Sequence, residues 1–212
     1  MICISLEARD YDFCESQLRK HSFFEFRLDR TSMTLDEIKK LFSMPNKIIA
    51  VCRQIKFDDN KRMKILTSAI NAGAMFVDIE HDVRVNYLNE IKSELQKNHC
   101  KLILSYHNFD ETPNEVGLKN IINNCFTLDA DIVKIACKSN SETDNALLLS
   151  LYKNYPIGKL ISIGLGDKGK ITRIAGESLG SPFAYASLER GCETAPGQID
   201  FETMKKINSL LK

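Results

Sequence analysis

The chain has 212 residues, 43% of them apolar and 27% charged, which is ordinary globular composition and enough chain to bury a substantial core. A formal charge of +1 excludes a general electrostatic footprint for nucleic acid or an anionic membrane, so an anionic ligand must be held by local charges. The apolar stretch at the start is too short for a signal peptide, and no later run reaches the length of a membrane span. The seven cysteines stand singly and form no CxxC pair, so a reduced, cytoplasmic protein is expected, with Cys3, Cys52 and Cys137 serving as buried small hydrophobes.

Eight short segments rich in β-branched and aromatic residues recur along the chain. They are Ile2–Leu6, Phe23–Leu28, Ile48–Cys52, Phe76–Glu80, Leu102–Tyr106, Ile132–Ala136, Leu160–Ile163 and Phe183–Leu188. Helical stretches lie between most of them. Leu35, Ile38, Leu41 and Phe42 mark one apolar face, Leu88, Ile91 and Leu95 a second, and Leu118, Ile121 and Ile122 a third. Residues 145–152 and 200–211 supply later helices. Strands alternating with helices predict parallel β/α units, and eight of them predict a (β/α)8 TIM barrel, one domain over residues 1–212. An open doubly wound sheet is the runner-up, but the usual glycine-rich phosphate loop after the first strand is absent.

This rhythm carries a chemical pattern. Arg53, Glu80, His107 and Lys134 follow one another at intervals of 27 residues (53 to 80, 80 to 107, 107 to 134), each in or just after a predicted strand. Arg27, 26 residues before Arg53, likewise falls at the end of a predicted strand. In a β/α barrel the C-terminal strand ends surround one mouth, where active sites are built. Five polar side chains from five consecutive strands are therefore expected to converge.

Lys134 interrupts the apolar run 131–137. Desolvation disfavours an ammonium and favours a nucleophilic amine able to form an imine with a ketone or aldehyde. The alternative is a structural ion pair, with Glu25 or Glu80. His107, one strand earlier, is a natural proton carrier, and adjacent strands lie roughly 4.8 Å apart. The competing reading is a histidine simply packed at a strand end. Metal binding is not expected, because His81, His99 and Cys100 make no ligand spacing with it. An iminium beside a base lets the proton α to the former carbonyl leave, after which a β-hydroxyl departs easily. That logic fits an imine-assisted dehydratase and also an aldolase. Further along, Arg173 offers a planar fork to a carboxylate, and the Pro196-Gly197 stretch makes a defined loop able to carry Gln198 as a lid.

At this point a family resemblance is specific. The stretches 25–29 (EFRLD), 51–53 (VCR), 77–80 (VDIE), 105–109 (SYHNF), 133–136 (VKIA), 172–176 (TRIAG) and 195–198 (APGQ), in this order and spacing, resemble type I 3-dehydroquinate dehydratase over nearly the whole chain. The resemblance implies a (β/α)8 hydro-lyase of the shikimate pathway, needing no metal or organic cofactor and usually a homodimer. It implies Lys134 as the Schiff-base residue and His107 as general acid and base. It also implies Glu25, Arg27 and Arg53 at the substrate hydroxyls, and Arg173, Thr194 and Gln198 around the carboxylate, with Gln198 on the closing lid. The expected partner is the small molecule 3-dehydroquinate, with neither nucleic acid nor membrane. Two serines frequent in the family are Thr172 and Thr194 here, each keeping a hydroxyl. The family's glutamate four residues after the third-strand arginine is Phe57 here. Asp58, Asp59 or Glu80 is left to orient His107, or no residue does. The other class considered is a Schiff-base aldolase or transaldolase on a phosphorylated sugar, for which the glycines of Gly164-Leu165-Gly166 hint at a phosphate site. A barrel that binds without catalysis would be expected to have lost the lysine.

Overall fold

A computed structural model describes residues 1–211. The eight strands are β1 (Ile2–Glu7), β2 (Phe23–Arg27), β3 (Lys47–Val51), β4 (Phe76–Glu80), β5 (Lys101–Asn108), β6 (Ile132–Lys138), β7 (Leu160–Leu165) and β8 (Ala184–Ser187). The helices that alternate with them are α1 (Tyr11–Leu18), α2 (Leu35–Phe42), α3 (Asp59–Ala72), α4 (Val85–Asn98), α5 (Glu115–Thr127), α6 (Glu142–Ser150), α7 (Lys170–Leu179) and α8 (Phe201–Leu210). The strands follow the order β7-β6-β5-β4-β3-β2-β1-β8, the chain-order neighbours of the (β/α)8 class. Every strand expected from the sequence is present. β5 and β6 each run two residues past their expected ends.

Contacts divide the chain into two compact units, Ser5–Ile103 and a second made of Met1–Ile4 with the chain from Leu104 onward. In the first, β2 pairs with β3 (Arg27 opposite Val51) and β3 with β4 (Val51 opposite Asp78), both parallel. α2 begins with a capping box in which Thr34 and Glu37 each satisfy the other's backbone N–H. Asp58 caps α3 by accepting from the Lys61 N–H at 2.8 Å, and Gly73 ends that helix at φ +117°, a conformation glycine adopts without Cβ strain.

In the second unit β6 pairs with β7 in parallel, Lys134 opposite Ile161. Every residue of β7 is buried, as expected of a parallel strand covered on both faces. Each buried Ile or Leu of these strands contributes roughly 1.5–3 kcal/mol relative to exposure. Ala186 of β8 forms a small core with Ile199 and Met204, against which Ile2, Ile174 and Phe201 pack. Cys3, Cys52 and Cys137 are buried in the strands and their flanks, as expected. Burial pushes the Cys52 and Cys137 thiols up to about 12, so neither is a thiolate at neutral pH. Among the described residues no helix is long and apolar enough to cross a membrane.

Candidate active site

The 27-residue interval has a structural cause. Ile49 lies opposite Phe76 and Lys134 opposite Ile161, pairs separated by 27 residues in each case. On these two strand pairs, residues 27 positions apart are lateral neighbours. Arg27 lies opposite Val51, two residues short of Arg53, so the first step of the pattern is staggered.

In the unit from Leu104 onward, Lys134 is the third residue of β6 and only 6% exposed, flanked by buried Val133 and Ile135. Its Nζ lies 4.1 Å from the centroid of the Tyr185 ring, on β8. The ring's negative face attracts the ammonium and fixes the end of a chain that otherwise samples many rotamers. His107 is half-buried near the end of β5, its ring stacked on Phe109 at 6.2 Å between centroids.

Arg173 sits in α7 and is 4% exposed, so it is not the surface arginine that helix periodicity alone allows. Its Nη2 donates to the Pro196 carbonyl at 3.2 Å, while its buried Nε has no hydrogen-bond partner. No carboxylate pairs with it among the described residues. Burial pulls its pKa down to about 10 with nothing opposing that pull, yet it remains a cation at neutral pH. A buried guanidinium in this state keeps donor capacity that a carboxylate would satisfy.

The loop carrying Gln198 is docked against the same arginine. The Pro196 carbonyl accepts from both Arg173 and the Gly166 N–H, the latter at 3.1 Å. Gly197 holds φ +76°, and a Cβ there would come within 2.2 Å of the Gly166 carbonyl oxygen, so this close approach admits only glycine. Within the loop Gln198 accepts from the Thr194 N–H at 2.7 Å and donates Nε2 to Thr194 Oγ1 at 3.1 Å. Thr172 acts differently. Its hydroxyl donates to the Gly169 carbonyl and accepts from the Gly164 N–H, both at 2.7 Å. Gly164 and Gly169 touch through their backbones. The backbone donors at Gly164 and Gly166 are therefore engaged within the chain, which removes the feature that hinted at a phosphate site.

In the unit Ser5–Ile103, Glu25 is 5% exposed and accepts from Ser5 Oγ at 2.9 Å. Arg27 forks onto Asp29, Nε to Oδ1 and Nη2 to Oδ2 at 3.0 Å each. Arg53 donates Nη2 to Asp78 at 2.8 Å, places Nη1 3.7 Å from Glu80, and sends its backbone N–H to Asp29 at 3.3 Å. Burial disfavours the Arg53 charge, but Asp78, Glu80 and Glu25 outweigh it and hold its pKa above the ordinary arginine value. Asp58 is committed to its helix cap, and Asp59 pairs with Arg62 and Arg84. Glu80 accepts from Arg62 at 2.8 Å and from the Gln54 N–H at 3.2 Å.

Comparison with known proteins follows this geometry. The model of the type I 3-dehydroquinase family matches residues 2–212. The chain belongs to that family. A 3-dehydroquinate dehydratase of Methanocaldococcus jannaschii is 35% identical over 207 residues, covering 93% of this chain and 90% of the relative. One from Dehalococcoides mccartyi is 34% identical over 192 residues, covering 88% and 84%. The crystal structure of the 3-dehydroquinate dehydratase from Aquifex aeolicus superposes with a TM-score of 0.84 at 27% identity, over 100% of this chain and 99% of that one.

Several residues of this family member escaped the sequence reading. Tyr185 was only one aromatic in a strand, and nothing local marks it as the ring against Lys134. Asp29 and Asp78 fall inside motif stretches but had no role assigned; both are fully buried partners of the arginines. Arg62, fully buried in α3, joins Cys52 O, Asp59 and Glu80 and lies over the Tyr87 ring. An arginine on a helix face is ordinarily solvated, so no sequence signal identified it.

Proposed function

We propose that this chain converts 3-dehydroquinate to 3-dehydroshikimate and water through an imine on Lys134. The observation that carries the reading is the presence, in one compact unit, of a lysine buried in an apolar strand and a buried arginine that has no carboxylate partner among the described residues. The unprotonated Lys134 amine attacks the substrate ketone and water leaves, giving an iminium that serves as an electron sink. His107 takes the proton from the carbon next to the former ketone. The electron pair forms the new double bond as the hydroxyl one carbon further departs, taking a proton from His107 to leave as water. A second water hydrolyses the imine, so one water is released overall and the lysine is regenerated.

Arg173 and Gln198 hold the substrate carboxylate, with Thr194 setting the Gln198 amide. Glu25, Arg27 and Arg53 are assigned the substrate hydroxyls, an assignment supported by the family motifs. The reading includes a homodimer acting in the cytoplasm, supported by family resemblance alone. The test is to mix protein with 3-dehydroquinate and follow the absorbance of the product's conjugated enone, with Lys134→Ala alongside. Turnover lost in the variant, and a borohydride-trapped adduct mapped to Lys134 by peptide mass, are the expected results. Folded wild type without turnover rejects the substrate, and an adduct elsewhere rejects the lysine.

A further inference from the structure

Ser187 is the last residue of β8, a strand whose side chains alternate between two faces. Tyr185, two residues earlier, points to the face where its ring meets Lys134 Nζ, so Ser187 projects to that same face, one step nearer the strand's C-terminal end. Ala186, on the opposite face, packs with Ile199 and with Ile174, the residue after Arg173. The Ser187 N–H donates to the Ile199 carbonyl at 3.0 Å, and a parallel bridge joins Ser187 to Asp200. The end of β8 is thus tied to the segment that presents Gln198.

The Ser187 side chain is fully buried, and its Oγ has no hydrogen-bond partner among the described residues. Other buried serines of this unit are satisfied: Ser139 donates to Asn145 at 2.7 Å, Ser162 to the Leu148 carbonyl at 2.9 Å, and Ser181 to the Phe183 carbonyl at 2.8 Å. Burying a hydroxyl without a partner costs free energy that alanine, with no polar atom, avoids. A second unsatisfied buried atom, Arg173 Nε, borders the same short segment, because the Arg173 fork donates to Pro196. Both unsatisfied donors thus belong to residues that bond the four-residue stretch 196–199, Arg173 through its fork and Ser187 through its backbone, and a carboxylate offers about four acceptor sites for such a pair.

We infer that Ser187 is a further substrate-binding residue, its hydroxyl donating to the carboxylate held by Arg173 and Gln198; this rests on the proposed dehydratase reading. The hydroxyl is paid for in the ligand-free protein and satisfied only when the acid is bound.

The test is Ser187→Ala, assayed with 3-dehydroquinate and melted with and without it. The expected result is a KM raised about tenfold with kcat within about twofold, as for loss of one charge-assisted hydrogen bond. The ligand-free thermal midpoint should equal or exceed that of wild type, and the upward shift on adding substrate should shrink. An unchanged KM overturns the inference while leaving the dehydratase reading intact. So does a lower ligand-free midpoint, which would assign the hydroxyl to the fold. A wild type that does not turn over 3-dehydroquinate overturns the reading itself, and this inference with it.

Discussion

Arg53 and Arg173 are both buried arginines, and their surroundings are opposite. Arg53 is gripped by Asp78 and approached by Glu80, with Asp29 on its backbone, so its charge is neutralised before any ligand arrives. Among the described residues Arg173 has the Pro196 carbonyl and an unsatisfied Nε, with no carboxylate. A cation saturated by the protein's own carboxylates is part of the scaffold and meets ligands with whatever hydrogen-bonding capacity remains. A cation left uncompensated stores a demand that an incoming anion meets. The same residue type thus serves two ends, and the local count of carboxylates separates them.

The comparison is most sharply challenged by removing each charge. Arg53→Met leaves Asp78 buried without its cation and should cost about 3–5 kcal/mol of unfolding free energy, read from urea denaturation. A loss below about 1 kcal/mol would mean that the carboxylates are satisfied by other groups and that the neutralised description is wrong. Arg173→Met should do the reverse, with stability held within about 1 kcal/mol of wild type because no ion pair is broken. Its KM for 3-dehydroquinate should nevertheless rise by about a hundredfold, the scale of a charged hydrogen-bonded contact. Destabilisation equal to that of Arg53→Met would erase the contrast.

The smallest effect concerns pH. Free Arg173 loses its proton near pH 10, because burial disfavours the charged form, and a bound carboxylate would push that value back up. Below it both guanidinium and carboxylate are charged, so this contact should add no slope between pH 6 and 9. Above about pH 10 kcat/KM, which reports the free enzyme, should fall further in wild type than in Arg173→Met, with kcat less affected. An equal fall in both proteins would remove Arg173 as its source.

Much of this was legible in the chain because strand patterning and register are local or periodic. All eight strands read directly, and the 27-residue interval among Arg53, Glu80, His107 and Lys134 reproduces the register of β3 on β4 and of β6 on β7. The helices α1 and α3 had no distinct reading. α3 turns Arg62 inward beside Ile65, Leu66 and Ala69, which breaks the apolar stripe that marks a helix, and α1 buries only Cys14, Gln17 and Leu18. β5 and β6 outran their expected ends because His107, Asn108 and Lys138 are polar where a strand pattern anticipates apolar residues. Motif stretches located Arg173 and Gln198, but not the state of the arginine. That Arg173 lacks a counter-charge, and that Ser187 lacks a hydrogen bond, are properties of what the fold places nearby, and no residue announces its missing neighbours.

The loop carrying Gln198 is fastened largely by main chain: the Pro196 carbonyl accepts from the Gly166 N–H as well as from Arg173, and the Gly197 backbone lies against Gly166. Main-chain fastening is indifferent to most changes of side chain. The stretch from Leu188 to Glu193 can therefore drift in composition and charge over evolutionary time while the loop still seats in one place. The seating of this loop is concentrated in two glycines, Gly166 and Gly197, and those are the positions where a single codon change would be felt.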